Sequence, residues 1–162
     1  MWEYFDKIYI LTTPKSKTFS SCYNNILNIG ITKNKIEIVK NLNLGDNTLI
    51  NGCDKVCKYI NKCHYNVIEK ALNNKFKKII IFEDDAKFEE NITLILKNQI
   101  SWLKNNNWDI FYFGYLPLLP IIPINKYIGK IFVSYLSHSY CLNLTNTFKI
   151  NKLLKILKNE NN

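Results

Sequence analysis

Arginine is absent: all 22 basic residues are lysine. Against 13 acids they give a formal charge of +9, a balance that invites a nucleic-acid reading. Nucleic-acid sites, however, lean on bidentate Arg for base edges and gather their charge into a stripe. Here the lysines are scattered over every segment. The charge reads as a solvated basic surface, and nucleic acid is not an expected partner. Abundant Lys, Asn and Ile instead fit a coding sequence biased towards A and T, from an unusual host or a large virus.

Long apolar runs are missing too. No stretch reaches the roughly 18 residues that would span a bilayer, so no membrane span is expected. Met1-Trp2-Glu3-Tyr4-Phe5-Asp6 carries acids and lacks a basic head before an apolar run. No signal peptide is recognised there, and a cytoplasmic location is the expectation. No CxxC pair occurs among the five cysteines, and a disulfide framework is improbable in a chain with a full core. Cys53, Cys57 and His64 could share one helical face, as a zinc site or as small apolar residues packing a helix; the second is the stronger reading.

What is present is a core. Hydrophobic residues make up 47% and aromatics 14%, which excludes a disordered chain, and the length suits one domain over residues 1–162. Lys7-Ile8-Tyr9-Ile10-Leu11 reads as a first strand, residues 18–29 as a helix stopped by Gly30, and residues 35–40 as a half-exposed strand. A polar loop over 41–52 precedes a helix over 54–73. Lys78-Ile79-Ile80-Ile81-Phe82 is unbroken and apolar, typical of a strand buried on both faces. A helix over 91–104 and a strand over 108–113 follow. Residues 115–125, with three prolines, read as an apolar loop. Two short strands, 130–136 and 140–144, flank Ser137-His138-Ser139, and a helix over 145–158 closes the chain. Strand and helix alternate without a repeat or linker, so the expected fold is a single α/β domain with a mostly parallel sheet and helices on both faces.

In open α/β sheets ligands bind beyond the carboxyl ends of the strands, where Glu83-Asp84-Asp85 stands. Three consecutive acids at the end of a buried strand are costly unless a cation compensates. Hard oxygen ligands suit Mg²⁺ or Mn²⁺, which also take oxygens from a substrate phosphate. The alternative is an acidic loop tip without function.

The ordered pattern resembles glycosyltransferase family 25, which includes lipopolysaccharide-biosynthesis and procollagen galactosyltransferases. That family opens on a strand like I-Y-V-I-N-L, matched by Ile8-Tyr9-Ile10-Leu11-Thr12, with a helix ending near Ile29-Gly30-Ile31. A Ser-His on a helix precedes L-I-L-E-D-D; here Cys63-His64 precedes Ile80-Ile81-Phe82-Glu83-Asp84-Asp85. An Asp on the next strand and a T-H-A-Y-V-I-S segment correspond to Asp109 and to Ser137-His138-Ser139-Tyr140-Cys141-Leu142-Asn143. Thr12, the turn Pro14-Lys15-Ser16-Lys17 and Cys63 depart from the pattern, and the family continues past the last helix to a C-terminal part that this chain is expected to lack.

The resemblance implies a GT-A fold and transfer of a sugar from a UDP-sugar to a hydroxyl of a glycan or hydroxylysine-type protein acceptor. It implies Mn²⁺ or Mg²⁺ on Asp84 and Asp85, catalytic roles within Glu83, Asp84 and Asp85, and substrate contacts from Thr12, Lys15, His64, His138 and Tyr140. Which carboxylate serves as base stays open. Asp109, near the start of its strand, is expected to point away from the site. Two other readings stand beside this one: an inactive sugar- or nucleotide-binding domain of the same fold, and a phospho-receiver module. In phospho-receivers the acidic pair follows the first strand, whereas here it follows the third.

Overall fold

Ile8 to Leu11 and Ile79 to Phe82 are apolar at every position, so their strands can only sit with both pleat faces covered. The computed structural model, which describes residues 1–40 and 53–159 (backbone alone at 53–58, 135–137 and 159), places them side by side. In chain order the elements are β1 (Lys7–Thr12), α1 (Phe19–Asn28), β2 (Ile36–Lys40), α2 (Cys53–Asn73), β3 (Lys78–Glu83) and α3 (Ile92–Asn105). They continue with β4 (Ile110–Pro117), β5 (Ile122–Asn125), β6 (Ile128–Lys130), β7 (Ser134–Asn143) and α4 (Thr147–Asn159). The loop expected over 41–52 lies outside the described residues.

The five-stranded sheet has the order β2-β1-β3-β7-β4. β1 is parallel to β2 and β3, whereas β7 is antiparallel to both β3 and β4. The sheet is therefore mixed. A parallel neighbour needs a crossover connection, but β4 and β7 are joined by the β5–β6 excursion alone, which returns the chain antiparallel.

Alternation divides the core in two. Ile8, Ile10, Ile80 and Phe82 face Cys22 and Ile26 of α1 and Leu96, Ile100 and Leu103 of α3. Tyr9, Leu11, Ile79 and Ile81 face Cys63, Val67, Ile68 and Ala71 of α2 and Ile150 of α4. Each face is thus covered by one pair of helices.

Helix ends explain two local features. After α1, Gly30 adopts φ +89°, its N–H bonds Leu27 O, and Ile31 N bonds Ile26 O. This is the Schellman arrangement, with the buried Ile31 and Ile26 in the same core cluster. The sequence placed that stop correctly. After α2 the same pair of bonds forms, from Lys75 N to Leu72 O and from Phe76 N to Ala71 O, but the left-handed residue is Lys75 at φ 58°. A side chain there costs about 1 kcal/mol. Lys75→Gly is therefore expected to stabilise the protein by about 0.5–1 kcal/mol, read as a raised denaturant midpoint.

Two sequence expectations are corrected. The apolar loop over 115–125 is partly structured: β4 runs on to Pro117, and β5 and β6 pair as a small separate hairpin. Pro123 is accommodated because a two-stranded sheet consists only of edges. The two short strands around Ser137-His138-Ser139 are one strand, β7, paired with both β3 and β4 from Ser139 onwards and with β4 alone at Ser134 and Tyr135.

Several buried acids in this core are held protonated. Burial pushes Tyr9 up to about 12, helped by Glu37, and pushes Cys22 up to about 12, helped by Asp84 and Asp85. Cys141 is raised well above its usual value by burial. Each folded-state pKa exceeds its unfolded value, so the stabilisation is complete below the unfolded pKa and is lost as pH rises through the folded one. The denaturant midpoint is accordingly expected to fall as pH rises from about 9 towards 12.

Candidate metal centre

β3 delivers Glu83 to the carboxyl edge of the sheet, on the pleat face shared with Ile79 and Ile81. The chain then turns through Asp84 and Asp85, with Ala86 N bonding Glu83 O at 3.1 Å. Across the sheet Phe82 pairs with Ser139 of β7, so the next step of an antiparallel register sets His138 opposite Glu83. Asp85 reaches the same point from the turn.

The result is a three-residue group. His138 Nδ1 lies 3.0 Å from Asp85 Oδ1 and 3.8 Å from Glu83 Oε2. One ligand atom from each of Glu83, Asp85 and His138 can be chosen so that all lie within 4.8 Å of one another. Two carboxylate oxygens and one imidazole nitrogen form a donor set able to hold a divalent cation, leaving positions for water or substrate oxygens.

Asp84 is placed differently. Its Oδ2 accepts a 2.5 Å hydrogen bond from the buried Thr12 hydroxyl at the end of β1. Of the pair Asp84 and Asp85 expected as ligands, the structure therefore gathers only Asp85, and Glu83 and His138 complete the group. The position of β3 in the pleat carries part of this signal: Glu83 continues the Ile79, Ile81 face towards α2, whereas Asp84 and Asp85 already belong to a turn. His138 was expected in a loop between strands; it is held instead within β7.

Behind Glu83 stands a buried pair. His64 of α2 lies with Nε2 3.4 Å from Glu83 Oε1, and its Nδ1 is 2.7 Å from the Tyr140 hydroxyl. Burial, with Tyr112 and Glu83 nearby, holds the Tyr140 phenol well above its ordinary pKa. The His64 imidazole thus bridges the Tyr140 hydroxyl and the Glu83 carboxylate. Such outer partners orient a ligand and tune its basicity. Tyr140→Phe is expected to weaken divalent-metal affinity about ten-fold with the circular dichroism spectrum unchanged, as measured by metal titration.

The zinc reading of the α2 face finds no support in His64, whose nitrogens are directed at Tyr140 and Glu83; the Cys53 and Cys57 side chains lie outside the described residues. Lys15 is exposed in the loop after β1, at the same sheet edge as Asp84. Asp109 is far from this edge, ion-paired with Lys149 of α4, as its place before β4 led one to expect.

A cavity of about 500 Å³ opens beside the group, with Asp85 and His138 in its wall alongside Phe82, Phe88, Phe113 and Lys87. Its lining combines apolar and ring side chains with a few ionic groups, the usual make-up of a small-molecule site. No helix among the described residues is long and apolar enough to cross a membrane. No protein-family model matches the chain, and no curated protein matches it.

Proposed function

We propose that the protein is a metal-assisted glycosyltransferase of the GT-A type, moving a sugar from a UDP-sugar to a hydroxyl of a glycan or protein acceptor. The observation that carries the reading is the convergence of Glu83, Asp85 and His138 at the carboxyl edge of β3, beside a cavity large enough for a small molecule. The ordered resemblance of the chain to glycosyltransferase family 25 supplies the reaction class.

A bound Mn²⁺ or Mg²⁺ would offset the negative charge that builds on the departing diphosphate. The chain's own residues do the rest. Glu83, Asp85 and His138 would hold the cation, and an imidazole nitrogen in the set favours Mn²⁺ over the harder Mg²⁺. His64 and Tyr140 fix the Glu83 carboxylate. The ring-lined cavity excludes water from one side of the reacting groups. Asp84, oriented by Thr12 and outside the metal group, is the carboxylate left to take the acceptor's proton in an inverting transfer.

Calorimetry with UDP and UDP-sugars, with and without Mn²⁺, tests the reading. Metal-dependent binding followed by transfer to a hydroxyl acceptor is expected. Binding without hydrolysis or transfer would select an inactive binding domain, and no metal-dependent binding would overturn the assignment.

A further inference from the structure

Among the described residues, an unusual surface lies between β4 and β7. Residues 116–124 read Leu-Pro-Leu-Leu-Pro-Ile-Ile-Pro-Ile, and every one of them is exposed. The six leucines and isoleucines in this run are each 43–56% exposed, and Phe132 and Val133 beside them are 59% and 46% exposed. Monomeric proteins rarely leave so continuous an apolar patch to water without a use for it.

The patch is built rather than loose. Leu118 N bonds Val133 O at 3.2 Å, tying its two sides together. Asn125 Oδ1 accepts from Tyr127 N at the hairpin turn, and Gln99 of α3 donates to Tyr127 O. Ile121 lies directly over Gly129, where an added Cβ would come within 2.3 Å of its Cγ2. Glycine lets Ile121 pack that closely, and any side chain at 129 would have to displace it.

Its charge is one-sided. No Asp or Glu occurs between Ile110 and Asn159. Lys126 and Lys130 are exposed at the hairpin, their ammonium groups 5.6 Å and 5.2 Å from the ring centres of Tyr127 and Phe132. Apolar residues bordered by lysines and aromatic rings match the boundary of a bilayer, where acyl chains meet head groups. The three prolines have no N–H, so fewer unpaired donors would meet the acyl region than in an ordinary loop.

We propose that the surface formed by residues 116–133 docks the protein onto an anionic lipid bilayer, with the leucines and isoleucines entering the interface and Lys126 and Lys130 meeting lipid phosphates. β4 leaves the sheet at the edge that bears Glu83, Asp85 and His138, so docking would hold that edge close to the membrane surface. The bilayer contact does not depend on the transferase reading.

Vesicle flotation of the full chain at about 150 mM salt tests the proposal. The protein is expected to float with phosphatidylcholine vesicles containing about 30% phosphatidylglycerol. Replacing Leu118, Leu119 and Ile122 together by Ser, which keeps the charge, is expected to weaken this at least about ten-fold. Lys126→Gln with Lys130→Gln is expected to weaken it on the order of ten-fold. Because these side chains are exposed, the variants should keep the wild-type circular dichroism spectrum. The proposal is overturned if the wild type does not float, or if the triple-serine variant floats equally well. It is also overturned if ultracentrifugation shows a dimer that the triple-serine change dissolves while vesicle binding is absent. Flotation is read without metal or nucleotide, so its failure is separate from any failure of UDP binding.

Discussion

Asp85→Ala is expected to abolish Mn²⁺-dependent UDP binding, a loss beyond the roughly 10–100-fold typical of changes around a metal's outer partners. Asp85 supplies one of only two carboxylates in the group, at 3.0 Å from His138 Nδ1. Without it, the ion keeps one protein carboxylate and one imidazole, too few ligands to hold it and the diphosphate together. Its side chain is 50% exposed, so the protein itself should lose no more than about 0.5 kcal/mol. His138→Ala should behave in the same way. Asp84→Asn should not: Asp84 lies outside the group and bonds Thr12, so metal dependence should survive while transfer falls. Titration calorimetry on the three variants decides the matter. UDP binding by Asp85→Ala equal to wild type would remove the basis of the proposed site.

The second large effect concerns folding. Ile80 is fully buried at the centre of β3, between Ile8 of β1 and Cys141 of β7. Its side chain belongs to the cluster that joins α1 and α3 to the sheet. Ile80→Ala removes apolar atoms and leaves a cavity that paired neighbours on both sides cannot close, costing about 2–5 kcal/mol. In a chain of this length that should lower the melting temperature by roughly 5–15 °C. Leu94 of α3, 60% exposed, provides the contrast, because Leu94→Ala should change stability by no more than about 0.5 kcal/mol. A midpoint for Ile80→Ala within that margin would contradict the burial argument.

Burial and termination were legible residue by residue. The unbroken Ile79-Ile80-Ile81-Phe82 reads as a doubly covered strand, and Gly30 marks a helix end because few other residues accept its positive φ. The acidic cluster was legible for the same reason, since three carboxylates after such a strand must lie at the sheet's edge. Less legible was the region after α3. Nothing in Pro117, Pro120 and Pro123 distinguishes a loop from a strand end and a hairpin, because proline is compatible with each at an unpaired edge. Ser137-His138-Ser139 looks like a break, yet Ser139 is paired on both sides, with Phe82 of β3 and Gly114 of β4, and β4 pairs again at Tyr135 and Ser134, so the strand continues through the serines despite their weak strand preference.

The sequence alone determined an α/β chain, the two-sided core strands and the place of Glu83-Asp84-Asp85 at a strand's carboxyl end, because these follow from local periodicity and the chemistry of adjacent residues. Only the tertiary structure decided which of those acids act together. The antiparallel register of β7 brings His138 to Glu83, the turn carries Asp85 to the same point, and Thr12 holds Asp84 at the neighbouring strand. Those meetings join residues more than fifty positions apart, and strand order sets them rather than any pattern along the chain.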